Sequence, residues 1–406
     1  MCFVTVPHPL GMISKEEVNA KVDAAFDDIV KAATAWTPSK EKQDAQVKPY
    51  PAKRFKFSGT YADVNDMFQK RKWSLSLPIV PPTVDKVAAM LKGTKRNPAE
   101  VLWVVPPRQG MLTVELVAAL GVMAGAKPEH MPLLIATVEA MADPVAAWRG
   151  PTTTTAATVP VFFISGPIIE KLKLNPGTGT AGGENPVTNA LGYFVNLVGD
   201  VVGGSVPPNF DKSTHGSSAD LVAMVFTENA KENPWKTTYA EEAGFKPGDS
   251  IVTHFSAYLG NANIDHDSKT GQRLLTTLST GLLGSASGLA SCLADYDATY
   301  AINNKVSFAF IVLCPEHAAT IAKDFPDQRA ARDFMRETAA MPYKFYSQET
   351  CVPGKDFGPY DENTFIPRFK KTESIKFFVS GGPGKQSQFW VPFPQVLKPV
   401  SAKIAE

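Results

Sequence analysis

The order of segments predicts an α/β fold, with strands and helices alternating around a mixed sheet. Three observations lead there. Short apolar runs of strand length recur along the chain, segments with helically spaced apolar residues separate them, and the loops after the runs are rich in glycine and polar residues. At 406 residues the chain exceeds the usual single-domain size, so two lobes or one elaborated domain both fit. No internal repeat of fixed period is visible.

Residues 14–34 carry Val18, Val22, Ala25, Phe26 and Ile29 at helical spacing, which predicts a peripheral amphipathic helix. Residues 37–54 are polar and proline-punctuated, as in a strap. The prolines at 78, 81 and 82 precede a helix starting near Thr83. The valine-rich run 101–105 reads as a buried strand, after which Thr113 caps a helix with Glu115 in its first turn. Pro128 opens another helix, through Ala142. Strands are expected at 159–164, 221–226, 306–313 and 375–379, and helices from Asn185-Pro186, from Lys269 and from about Glu316. The resulting domain plan is an N-terminal helix and strap (1–60), a main α/β body (61–395) with a sub-lobe boundary near 205–250, and a C-terminal tail (396–406).

Forty-one basic against forty acidic residues leave a formal charge of +1, which argues against a broad surface for nucleic acid or anionic membrane. A small-molecule substrate is the expected partner, and a homo-oligomer the expected assembly. Cys2, Cys292, Cys314 and Cys351 form no CxxC pair, and no secretory signal is visible, so a cytoplasmic protein is expected. The most apolar helices, near 114–126 and 131–142, fall short of the roughly 20 residues of a membrane span.

The loop Asn261-Ala262-Asn263-Ile264-Asp265-His266-Asp267-Ser268 sets an imidazole between two carboxylates, an arrangement suited to a general acid or base. It equally suits a solvated Asx-turn. Gly177 to Gly182 matches GxGxxG but follows no strand, and Gly381-Gly382-Pro383-Gly384-Lys385 is followed by glutamine where a phosphate loop has serine or threonine. Neither NAD, flavin nor ATP use is therefore indicated. His215 lies in a polar loop, Glu228 follows a strand, His317 sits at a strand-to-helix junction, and Arg108 is placed to clamp an anion. If they converged, these groups would permit a divalent metal or an acid/base cluster. No HExxH or GxSxG occurs.

Taken in order, Leu77-Pro78-Ile79-Val80-Pro81-Pro82-Thr83, Val105-Pro106-Pro107-Arg108, Thr113-Val114-Glu115, Val122-Met123-Ala124-Gly125, Ser165-Gly166-Pro167, Ser213-Thr214-His215-Gly216, Glu228-Asn229, Asn233-Pro234-Trp235, Asp265-His266 with Ser268, Pro315-Glu316-His317 and Ser380-Gly381-Gly382 form a series. It resembles a largely uncharacterised protein family associated with UGSC/CGSC-motif selenoproteins and thiol proteins. The resemblance spans roughly residues 70–390 and implies thiol or selenol chemistry with a small CGSC-type partner. The chain itself has no such motif, and it departs from the family at Ala126 (cysteine in members), Leu120 (asparagine), Pro186 and Tyr193 (arginine), and Asp267 (glycine).

The expectation is therefore an acid/base enzyme of lyase or hydrolase type that acts on a small polar organic molecule, by cleavage of a carbon–heteroatom bond. His266 would transfer the proton with Asp265 or Asp267 orienting it, and His215 and Glu228 would serve as further acid/base or metal groups. Arg108, Glu115, Ser268, Gly381 and Gly382 would contact substrate. The alternative is a non-catalytic or partner-dependent subunit of a thiol/selenol redox system.

Overall fold

The computed structural model describes residues 4, 6, 13–35, 51–183, 185–207, 215–258, 260–284, 308–345, 361–369, 371–393, 396 and 398–405. The chain divides into two units, Met1–Lys48 and Pro49–Glu406. In the first, the expected amphipathic helix forms as α1 (Lys15–Thr34). Ser14 Oγ accepts from Glu17 N while Glu17 Oε2 accepts from Ser14 N at 2.9 Å, so Ser-x-x-Glu satisfies two N–H groups at the helix start. Most of the predicted strap lies outside the described residues, and residues 51–60 belong with the second unit.

The second unit begins with α2 (Tyr61–Lys70), α3 (Val84–Leu91), the hairpin β1 (Val101–Val105) and β2 (Gly110–Thr113), α4 (Val114–Met123) and α5 (Met131–Ala142). Thr113 caps α4 as expected, its Oγ1 accepting from Leu116 N at 3.2 Å. The run 101–105 is not a buried strand. It pairs only with β2, Val101 and Val104 are 42% and 44% exposed, and within the strand Val105 alone is buried. Then come β3 (Thr158–Ser165), α6 (Ile168–Lys171), α7 (Pro186–Asn196), β4 (Met224–Thr227), α8 (Tyr239–Glu242), β5 (Ile251–Tyr258) and β6 (Asn261–Ile264). The last corrects the reading of 261–268 as one loop, because its first four residues are strand. The chain continues through α9 (Gly271–Gly284), β7 (Ala309–Leu313), α10 (Pro315–Asp324), α11 (Gln328–Thr338), β8 (Ala340–Pro342), β9 (Phe365–Pro367), β10 (Ile375–Val379), β11 (Gln386–Trp390) and β12 (Val400–Lys403). β12 corrects the expected tail, since it adds to a sheet.

The α/β class is as expected, with two mixed four-stranded sheets of order β12-β5-β3-β4 and β10-β7-β11-β6. They pack face to face, helices covering both outer faces. Alternation along β3 shows why: Val161 and Phe163 point to the second sheet, where Phe163 stacks on Phe310 at 4.4 Å, while Phe162 and Ile164 point to α4, α5 and α7. On β7, Phe310 and Val312 face the first sheet, and Ala309, Ile311 and Leu313 face α9, α10 and α11. Strands buried on both faces need unbroken apolar runs, which is how they stood out in the sequence.

The two sheets share one plan. A first strand (β3, β7) runs parallel to an edge strand reached through helices (β4, β10) and antiparallel to a third (β5, β11), which pairs antiparallel with a fourth. The fourth strands are exchanged: β6 follows β5 in the chain but joins β11, and β12 follows β11 but joins β5. Hydrogen bonds match position for position. Glu228 N donates to Ile164 O at 2.9 Å as Ser380 N donates to Leu313 O at 3.0 Å, and Ile404 N donates to Ser250 O as Asp265 N donates to Lys385 O. A repeat absent from the sequence is thus present in the topology. The chain changes sheet between β5 and β6 and again between β11 and β12, whereas the 205–250 region, expected to hold a sub-lobe boundary, contains β4 of the first sheet.

Candidate functional site

Glu228 and Ser380 are equivalent in the two halves and meet each other in an antiparallel bridge. Glu228 stands one residue past β4, beside the end of β3, where a parallel strand pair leaves backbone and side chains free for a site. Glu228 is 3% exposed. Its Oε2 accepts from Ser165 Oγ, its Oε1 accepts from Tyr239 N at 2.7 Å, and Ser165 Oγ in turn accepts from Ala240 N at 3.2 Å. Burial pushes the carboxyl up to about 7; the bonds from Ser165 and Tyr239 pull against this, and the charges of Glu241 and Glu242 add to it.

Glu228 lines a cleft of about 650 Å³. Pro167, Ile169, Leu174 and Pro176 contribute apolar side chains to its lining, beside Asn229. Gly166 is needed where β3 turns into the cleft: its φ is +100° and a Cβ would stand 2.2 Å from Asp249 O. Gly381 donates to Pro176 O at 2.8 Å and accepts from Asn229 Nδ2 at 3.1 Å, so the second half's turn braces this wall. Gly382 packs on Thr178, where a Cβ would meet Oγ1 at 2.1 Å. The GxGxxG stretch is thereby explained as a packing surface for the other glycine turn. Gly381 and Gly382 support the cleft from outside its lining.

The remaining expected residues do not join Glu228. Asp265 makes the Asx-turn weighed against catalysis, accepting from Ser268 N at 2.9 Å, Ser268 Oγ at 2.7 Å and Asp267 N at 3.2 Å. Burial works against its ionisation, yet these bonds and one from Thr277 hold its carboxyl down at about 2, too acidic for a base near neutral pH. His266 and Asp267 are exposed, and the His266 carbonyl accepts from Lys385 Nζ at 2.8 Å. His317 is 2% exposed and structural. Its Nε2 can only donate to Asp265 O, at 3.1 Å, so in the neutral ring Nδ1 accepts from Ser387 Oγ at 2.8 Å. Burial lowers its pKa.

His215 is exposed and outside the cleft lining, and Ser213 and Thr214 lie outside the described residues. Arg108 is exposed in the β1–β2 turn, its stem against Gly204. Glu115 is buried and holds the incoming chain, accepting from Ala52 N at 2.8 Å and Arg54 Nη2 at 3.0 Å. None of these lines the cleft, so the structure does not bring His215, expected as an acid/base group, or Arg108 and Glu115, expected to contact substrate, together with Glu228. The described residues contain no group of three His, Cys, Asp or Glu placed to hold a metal ion, and no helix among them is long and apolar enough to cross a membrane.

Sequence reasoning passed over Ser165 and Tyr239 as partners of Glu228, although Ser165-Gly166-Pro167 directly after a strand was a usable signal. No family model, curated protein or solved structure matches the chain.

Proposed function

We propose that the protein is an acid/base enzyme of lyase or hydrolase type, acting on a small polar organic molecule, with Glu228 as the proton-transfer group in place of His266. One observation carries this reading. At the equivalent position of the other half the same backbone bonds and the same bridge are made by Ser380, whose Oγ donates to Thr227 O at 2.7 Å. The architecture therefore does not require a carboxyl there, and a buried one with no ion-pair partner among the described residues is costly to keep. Its place in the lining of a cleft and its balance near neutral pH suit proton transfer.

Ser165 and Tyr239 N each occupy one carboxyl oxygen and fix the plane of the group, and a carboxylate oxygen has a second lone pair for a reacting proton. Turnover of a panel of small esters, amides, amino acids, hydroxy acids and thioethers tests the reading. Activity should fall about 10²- to 10⁴-fold in Glu228→Gln with the fold retained. Turnover within about threefold of the parent would refute it.

A second reading, a subunit that depends on a thiol or selenol partner, draws support from Cys314. It is the one cysteine among the described residues, it is buried, and burial pushes its thiol up, so Cys314 is a poor source of thiolate. Stoichiometric co-purification with a small CGSC-type protein, and inactivity without it, would favour this reading.

A further inference from the structure

We propose that a second cavity, which shares no lining residue with the Glu228 cleft, binds a small carboxylate with an aryl or alkyl body. Its volume is about 820 Å³, and its lining brings together Tyr239 of α8, Phe308 just before β7, Lys376 of β10 and Val400 at the start of β12. The feature that points to a ligand is the Tyr239 hydroxyl. Tyr239 is 4% exposed, and its hydroxyl has no hydrogen-bond partner among the described residues. Its N–H donates to Glu228 Oε1 at 2.7 Å, and its ring lies 5.2 Å from that of Phe310 and 5.8 Å from that of Phe378. None of these three residues lines the cavity, so the part of Tyr239 that reaches it is the hydroxyl end. Burial, and then the charge of Glu242, raise the phenol far above its ordinary range. The hydroxyl therefore stays protonated and offers a buried donor, which is costly to leave without an acceptor.

The charges around it favour an anion as that acceptor. Arg332 at 2.5 Å and Lys376 at 3.2 Å converge on the single carboxylate of Glu242, so this partly buried cluster carries one positive charge in excess. Lys376 uses one of its three N–H groups on Glu242 and keeps others for a ligand. The other two carboxylates of the lining are engaged, Glu373 by Arg329 at 2.7 Å and Asp143 by Val145 N at 2.8 Å. Lys371 and Lys398 also line the cavity, are exposed, and form no ion pair among the described residues. A carboxylate supplies both the acceptor that Tyr239 lacks and the charge that offsets the excess. Phe245, Phe308 and Val400 supply apolar surface for the body of the ligand.

The proposal stands apart from the acid/base reading of Glu228 and is tested by binding alone. Calorimetric titration of the full chain at neutral pH compares 4-phenylbutyrate, 4-phenylbutylamine and 4-phenylbutanol. Phenylbutyrate should bind at least about tenfold more tightly than the amine or the alcohol. Tyr239→Phe keeps the ring and the backbone bond to Glu228, and should weaken phenylbutyrate about tenfold. Lys398→Glu, at an exposed position, provides a second variant should Tyr239→Phe fail to fold, and should weaken phenylbutyrate about threefold or more. No phenylbutyrate binding, binding no tighter than that of the amine or the alcohol, or an affinity unchanged in Tyr239→Phe overturns the proposal, as does one unchanged in Lys398→Glu if that variant has to stand in.

Discussion

Replacing Glu228 by glutamine should stabilise the protein at alkaline pH, although it removes a hydrogen-bonded buried side chain. Glutamine copies the protonated carboxyl: its carbonyl can accept from Tyr239 N, and its amide can donate to Ser165 Oγ, which keeps its bond from Ala240 N. The carboxyl moves from its ordinary 4.5 to about 7 in the fold. Because the folded value is the higher one, the native state binds more protons than the unfolded state between these limits, so this group's contribution is fully present below pH 4.5 and is lost as pH rises through 7. At about 1.36 kcal/mol per tenfold, the ionised group costs the parent about 3 kcal/mol by pH 8, a loss that the uncharged glutamine variant escapes. Urea denaturation of both proteins from pH 4 to 9 measures the difference directly. The stability of the variant relative to the parent should be flat below about pH 4.5 and climb by about 3 kcal/mol by pH 8. A flat difference across the whole range, or one that falls with pH, would show that Glu228 is an ordinary ionised structural carboxylate.

Gly382→Ala should cost about 1–3 kcal/mol, because its Cβ meets Thr178 Oγ1 at 2.1 Å and Thr178 N at 2.9 Å, while Gly182→Ala, which meets nothing within 4 Å, should change stability by no more than about 0.5 kcal/mol in the same urea assay. Asp265→Ala should cost about 1 kcal/mol at neutral pH, and since the folded pKa is depressed to about 2 that loss should shrink as pH falls from 3.8 towards 2; an equal cost at both ends would exclude the Asx-turn as its cause. His254, fully buried on β5, places Nδ1 3.2 Å from Val161 O, and burial brings its pKa down to about 3. Nitrogen NMR should therefore show a neutral ring with the proton on Nδ1 at pH 5, and a charged ring there would contradict the packing. His266→Ala, at an exposed site, should leave stability within about 0.5 kcal/mol of the parent by thermal denaturation.

Much of the architecture was legible because its determinants are local. The doubly buried strands β3 and β7 show as apolar runs, Thr113 announces α4 through its own hydroxyl, and Asn185-Pro186 and Pro315 open their helices with residues suited to a first turn. The run 101–105 misled for the same reason, since an exposed hairpin with three valines has the composition of a core strand. Asp265-His266-Asp267 misled because an Asx-turn and a catalytic carboxylate–histidine pair use the same residues, and only the hydrogen bonds of Asp265 to the backbone and hydroxyl of Ser268 separate the two. Glu228 was visible as a polar residue after a strand, but nothing near it in sequence marked it above His215 or Arg108.

By itself, then, the amino-acid order determined the fold class, most of the strands and helices, and the caps that start several of them, because burial pattern and end-capping act within a few residues. Tertiary structure alone decided how those pieces pair. The exchange of β6 and β12 joins segments that neighbour other strands in sequence, so two halves with unlike sequences share one plan that no period could reveal. It also decided the site: Ser165 and Glu228 lie 63 residues apart, and whether a carboxyl is an ordinary surface acid or a buried group balanced near neutral pH depends on what the fold packs around it.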